Sequence, residues 1–211
     1  MTRKEEIIHA TLELAAENGM KGVSMSQIAD KVGIKAPSLY NHFRSKDEII
    51  REMYRFLREQ ALAGSKGDAA DYSKLMDRSA EEILLSSISA YMGIVSDRNM
   101  LRFFKVLYSE RSTDPIAASI IVEETERMIQ SSKNLFYALA VHGKINDQNI
   151  DVAAMTFSLT IHSLIDHRMD MLTAGIVDEF GEEGSSVPNN ILDFVRWFSY
   201  QIGGINEQKT N

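Results

Sequence analysis

A chain of 211 residues, 44% of them hydrophobic, is long enough to bury a sizeable core, while a net charge of −7 counts against an all-over affinity for nucleic acid. The absence of cysteine excludes disulfides, a thiolate nucleophile and cysteine-ligated zinc. No apolar run reaches the roughly 18 residues of a spanning helix, and the charged start Met1-Thr2-Arg3-Lys4-Glu5-Glu6 opens an amphipathic pattern rather than a secretory leader; the expectation is a cytoplasmic protein with no membrane partner.

Prolines occur only at 37, 115 and 188, and the stretches between them carry Ala, Leu, Glu, Met and Ile at helical spacing. The chain therefore reads as all-α, with about nine helices and no strand. Thr2 with Glu5 has capping-box spacing and opens a first helix that Asn18-Gly19 ends. Ser24 with Gln27 repeats the box and opens a short helix that Gly33 stops. Pro37 suits a first helical turn, where its missing N–H costs nothing, and starts a helix of under two turns. Ser45 with Glu48 opens a fourth helix with the stripe Ile49/Ile50, Met53 and Phe56/Leu57. Gly64-Ser65-Lys66-Gly67-Asp68 has linker composition. Helical patterns follow over 72–96, 97–110, from the Asp114-Pro115 cap to about 142, from Asp147 to about 174, and from Pro188 to Gly203. Residues 175–186 form an acidic loop. Three segments result: 1–46, 47–63 as a connecting helix, and 64–211.

Residues 24–43 have the form helix, tight turn, helix. Ile28, Ala29, Val32, Leu39 and Phe43 face inward, Ala29 allows close approach, and Gly33 meets the backbone demand of the turn. The outer side of the second helix carries Lys35, Ala36, Ser38, Tyr40, Asn41 and His42, small, polar or cationic and without an acid. A helix entering the major groove needs such a face, because acids repel phosphates and large apolar groups collapse inward. The charge distribution permits this: residues 1–60 hold 10 Lys+Arg against 9 Asp+Glu, and 61–211 hold 13 against 21. A helical hairpin that merely packs on the body has the same spacing, and so does a protein-binding or small-molecule-binding helical domain without sequence-specific DNA activity.

The stretch Gly22-Val23-Ser24-Met25-Ser26-Gln27-Ile28-Ala29-Asp30-Lys31-Val32-Gly33-Ile34, followed by Ser38-Leu39-Tyr40-Asn41-His42-Phe43-Arg44-Ser45-Lys46-Asp47-Glu48-Ile49-Ile50, resembles the signature of the tetracycline-repressor (TetR) family. The likeness covers about residues 4–55 and is specific at Leu-Tyr-x-His-Phe-x-x-Lys; the rest of the chain fits only in length and helical pattern. The resemblance implies a transcriptional regulator, more commonly a repressor, that binds palindromic operator DNA as a homodimer. It implies DNA contacts at Ser24, Ser26 and Gln27, at Lys35, Ala36, Pro37, Ser38 and Asn41 in the groove, and at Tyr40, His42 and Lys46 on the phosphates. Ser24 and Gln27 capping only one another is the competing reading.

For the C-terminal segment the resemblance implies an effector-binding and dimerisation domain. Candidates for lining a small-molecule cavity are Tyr91, Met92, Phe103, Phe104, Tyr108, Met128 and Met155, adaptable apolar side chains that ordinary core also employs. Candidates for the dimer seam are Phe157, Ile161, Leu164, Phe194 and Phe198, and periodicity cannot separate seam from core. His162, Asp166 and His167 form the one tight His/acid group, read as a polar spot or exposed pair and not as a metal site. Glu123-Glu124-x-Glu126 reads as a solvated face. No catalytic constellation stands out, so the expectation is no enzyme activity and no cofactor beyond an unidentified small-molecule effector.

Overall fold

The computed structural model describes residues 1–64, 77–146, 148–179 and 187–203. Among them are nine helices: α1 (Arg3–Asn18), α2 (Met25–Val32), α3 (Ala36–Tyr40), α4 (Lys46–Gly64), α5 (Ala80–Val95), α6 (Arg98–Glu110), α7 (Pro115–Val141), α8 (Ile150–Thr173) and α9 (Asn189–Ile202). The described residues contain no strand, only an isolated antiparallel bridge between Ile145 and Gly203. No helix among them is long and apolar enough to cross a membrane.

Local chemistry sets the helix starts. The Thr2 hydroxyl accepts from the Glu5 amide while the Glu5 carboxylate accepts from the Thr2 amide, and Ser24 with Gln27 and Ser79 with Glu82 repeat the exchange. Asp114 Oδ1 accepts from the amides of Ile116 and Ala117 and so caps α7. At α4 the box is split: Ser45 Oγ accepts from the Glu48 amide, but the Glu48 carboxylate turns to the Arg44 amide.

Two compact units emerge from the packing. Residues 1–64 group with 97–123, and 65–96 with 124–211, so packing does not follow chain order at residue 64. The physical reason is that α6 packs on α1 and α4: Phe103 stacks on Tyr54 with ring centroids 6.3 Å apart, both fully buried. The core of this first unit combines Ile7, Ile8 and Leu12 of α1, Ile28 and Ala29 of α2, Leu39 of α3, Ile49, Ile50 and Met53 of α4, and Met100 and Leu107 of α6. Each of the larger side chains, the Ile, Leu and Met of this set, contributes about 1.5–3 kcal/mol on leaving water.

In the second unit α9 packs against both α5 and α8. Its centre is aromatic, with Phe136, Phe157 and Phe198 at centroid separations of 5.5, 5.2 and 6.1 Å. The bridge at Ile145 and the Asn146 amide, which donates to the Ile202 carbonyl at 2.9 Å, fix the end of α9 to the loop after α7. Arg168, buried, donates to the Glu179 carbonyl at 3.0 Å and holds the chain beyond α8.

Several expected boundaries move. The helix expected from 72 begins, among the described residues, at Ala80, because Ser79 is its cap; 65–76, including most of the expected linker, lie outside them. The helix expected from Asp147, itself outside the described residues, begins at Ile150, since Asn149 adopts φ 55° and cannot continue a right-handed helix. Of the acidic loop, 180–186 lie outside the described residues. Glu124 overturns an expectation: it is buried, not solvated. Its four-residue register places it on one stripe with Ile120 and Met128, both buried, and there it accepts from Tyr91 Oη at 3.2 Å, with Arg127 Nε 3.9 Å from its other oxygen.

Candidate nucleic-acid interface

The interface candidates all belong to the first unit. α2 ends at Gly33, whose φ of 74° and ψ of 33° lie in the left-handed region that favours glycine. There the Ile34 amide reaches back to the Ala29 carbonyl at 2.9 Å and the Gly33 amide to that of Asp30 at 3.1 Å. These two bonds satisfy the last carbonyls of α2 and reverse the chain within a few residues. Ala36 and Pro37 then open α3, which has no side-chain cap. Leu39, fully buried, and Phe43 anchor α3 from beneath, and Lys4 Nζ lies 5.5 Å from the Phe43 ring centroid.

This anchoring turns the remaining residues outward. Ser24, Ser26, Gln27, Lys35, Pro37, Tyr40 and Asn41 are exposed, and Ala36, Ser38, His42 and Lys46 are half-buried. All eleven positions therefore retain solvent access. The polar contacts differ among them. Gln27 Oε1 accepts from both the amide and the hydroxyl of Ser24 at 2.8 Å, which leaves the Gln27 amide nitrogen as the donor that can meet a phosphate. Lys46 is more committed: its ammonium donates to the carbonyls of Met20 at 2.8 Å and Val23 at 3.1 Å. That loop-holding role is invisible in the sequence spacing, and one N–H of the ammonium remains for a phosphate.

α2 is also tied to α1. Lys31 Nζ lies 2.9 Å from Glu13 Oε2. Their hydrogen bond holds the Glu13 carboxyl below the ordinary glutamate value and raises the Lys31 ammonium above that of lysine. Both groups are solvent-accessible, so the pair adds little stability.

The residues proposed for an effector cavity fall into both units. In the first, Phe103 is fully buried against Tyr54, Phe104 lies 6.3 Å from the Tyr108 ring, and Arg111 covers the face of Tyr108 at 4.6 Å. In the second, Tyr91 meets Glu124, Met92 and Met128 are buried, and Met155 is exposed on α8 rather than turned inward. Of the dimer-seam candidates, Phe157, Ile161 and Phe198 are buried within their own chain, where Phe157 and Phe198 pack on each other and on Phe136. Leu164 and Phe194 are half-buried. The apolar residues left exposed on these helices are Val152, Met155 and Leu159 of α8 and Trp197 and Tyr200 of α9. His162 Nε2 lies 3.8 Å from Asp166 Oδ1 and His167 is exposed. Among the described residues no group of three His, Cys, Asp or Glu could hold a metal ion.

Comparison with known proteins bears on both parts of the chain. Residues 7–53 match the profile described as bacterial regulatory proteins of the tetR family, and residues 82–179 that of the AefR-like transcriptional repressor C-terminal domain. The HTH-type transcriptional repressor KstR2 of Mycolicibacterium smegmatis is 35% identical over 54 residues, which span only 26% of this chain and 26% of that one. The HTH-type transcriptional regulator BetI of Rhizobium meliloti is 20% identical over 72% of this chain and 83% of its own. Solved structures share the fold. One is a TetR-family regulator of Mesorhizobium loti, with TM-score 0.66 and 20% identity over 96% of this chain and 100% of that one. Another is the flavonoid-responsive regulator FrrA, with TM-score 0.69 and 19% identity over 95% and 96%. A helix-turn-helix that matches the tetR-family profile, its second helix free of acids, followed by a helical segment that matches a repressor C-terminal domain, makes this chain a member of the TetR family.

Proposed function

We propose that this chain is an effector-responsive transcriptional regulator, acting as a repressor, that binds palindromic operator DNA as a homodimer. The observation that carries the reading is the α2–turn–α3 unit, whose buried Leu39 and Phe43 leave Lys35, Ser38, Tyr40, Asn41 and His42 accessible on a helix too short to pack further. α3 enters the major groove. Asn41 there supplies paired donor and acceptor groups suited to adenine, while Tyr40, His42, Lys46 and the N-terminal amides of α2 meet phosphates.

A unit of this size reads too few base pairs alone, and two copies about 34 Å apart match successive major grooves. The exposed Val152, Met155, Leu159, Trp197 and Tyr200 support pairing through α8 and α9. A small molecule bound in the helical body alters the spacing of the paired α3 helices, and a coupling of about 1–3 kcal/mol changes operator affinity roughly 5–150-fold.

Selection from a random duplex library tests the reading. The wild-type protein enriches an inverted repeat. Asn41→Ala changes base preference at one position in each half-site by about 1–3 kcal/mol. Tyr40→Ala weakens binding to every duplex and flattens the dependence of affinity on salt. Failure of the wild-type protein to enrich any sequence over the starting pool defeats the proposal.

A further inference from the structure

The loop of residues 19–23, which delivers the chain from α1 to the Ser24 cap of α2, is held by two charges of opposite sign from two other helices. From the first turn of α4, the Lys46 ammonium takes the carbonyls of Met20 and Val23. From the last turn of α6, Glu110 Oε1 accepts from the amides of Met20 at 2.5 Å and Lys21 at 3.3 Å. Each charge meets the backbone dipole it attracts, so the loop is fixed at both its donors and its acceptors.

The approach is close enough to constrain the sequence. A Cβ on Gly19, already at φ 70°, would lie 3.0 Å from Glu110 Oε1. Lys21 adds a bond from its Nζ to Thr113 Oγ1, in the turn just beyond α6. Glu110 itself is buried, and its Oε2 has no hydrogen-bond partner among the described residues. A carboxylate taken out of water with one oxygen unsatisfied is a poor way to gain stability. Its placement is accounted for by what it positions.

We infer that Glu110 is a positioning residue for operator recognition, a clasp through which the end of α6 sets the entry of α2 and hence the aim of α3. The inference rests on the DNA-binding function proposed above. Glu110 makes no contact that would place it on DNA; it acts through the amides of Met20 and Lys21. While the clasp is closed, Ser24 and α3 hold the geometry that fits an operator. Withdrawal of the carboxylate frees the loop, and the helix-turn-helix keeps its fold but loses its fixed aim.

The test compares the full-length wild-type protein with Glu110→Ala, Glu110→Gln and Leu107→Ala, the last a cavity at a buried apolar position one turn earlier in the same helix. Affinities are measured for the duplex that the wild-type protein selects from a random library and for a scrambled duplex, well below every melting temperature. Glu110→Ala lowers affinity for the selected duplex about tenfold, as expected for loss of charge-assisted bonds to two amides, and leaves the scrambled duplex unaffected. Exchange of the Met20 and Lys21 amides quickens in the same variant. Glu110→Gln, which retains a carbonyl acceptor, stays within about threefold of wild type on the neutral-bond scale. Leu107→Ala loses thermal stability but keeps the ratio of specific to non-specific binding. An unchanged ratio in Glu110→Ala, or an equal fall in Leu107→Ala, overturns the inference while leaving the DNA-binding function standing. A wild-type protein that selects no duplex overturns both.

Discussion

Lys46 carries two demands on one ammonium. Its first turn of α4 lies where a phosphate contact is expected, yet two of its donors go to the Met20 and Val23 carbonyls. Lys46→Ala is therefore expected to weaken DNA binding and also to lower the melting temperature by several degrees, since two half-buried carbonyls lose their partner at about 1 kcal/mol or more. A residue that touched only phosphate would leave the melting temperature unchanged, so calorimetry without DNA checks the assignment. The resemblance implied a phosphate contact for Lys46, but its carbonyl partners lie 23 and 26 positions away and no local pattern encodes them. Glu110, 90 positions from Met20, was illegible for the same reason. Glu124 was misread for another: a run of acids suggests solvent, and only its four-residue register with Ile120 and Met128 points inward.

The helices themselves were legible because their signals are local. The boxes at Thr2/Glu5 and Ser24/Gln27 join residues three apart, and each recurs in the structure with both bonds formed. Gly33 stops α2 through its own backbone angles. Gly33→Ala places a Cβ at φ 74°, where it meets no steric neighbour, so the cost is conformational alone, about 1–2 kcal/mol; urea titration reads it directly. The Ser79/Glu82 box escaped the sequence reading because residues 72–96 appeared as one unbroken helical pattern, although its spacing is the same. It has a pH signature. The Ser79 amide and hydroxyl hold the Glu82 carboxyl below the ordinary glutamate value. A depressed carboxyl contributes stability that is present above its unfolded value and lost as pH falls through its folded one. The stability difference between wild type and Glu82→Gln should thus persist at neutral pH and vanish on acidification below the ordinary glutamate range. Parallel denaturation series across that range decide it; a difference that grows on acidification would contradict the cap.

At the scale of the molecule, the all-helical fold followed from proline placement and periodicity, whereas the partition between core and seam did not. Phe157, Ile161 and Phe198 repeat at helical spacing as well as Leu159 and Trp197 do, but the first three are buried, Phe157 and Phe198 against Phe136 and each other, while the latter two are left at the surface. Burial on one face depends on which helix lies opposite, and that is fixed by topology rather than by local sequence. The exposed set therefore predicts where charge disrupts assembly. Leu159→Glu should give a folded monomer by light scattering, with melting changed by no more than about 0.5 kcal/mol equivalent, as for surface positions. Operator affinity should fall sharply, because half-sites are then bound one at a time. A dimer that survives this change would move the seam elsewhere.

Trp197 is the only tryptophan in the chain and stands 59% exposed on α9. Its indole is thus an intrinsic optical reporter with no background from a second chromophore of its kind. If α9 lies in the contact between copies, dilution should shift its emission to longer wavelength and open it to quenching by iodide, and the midpoint of that change would yield the association constant without any label.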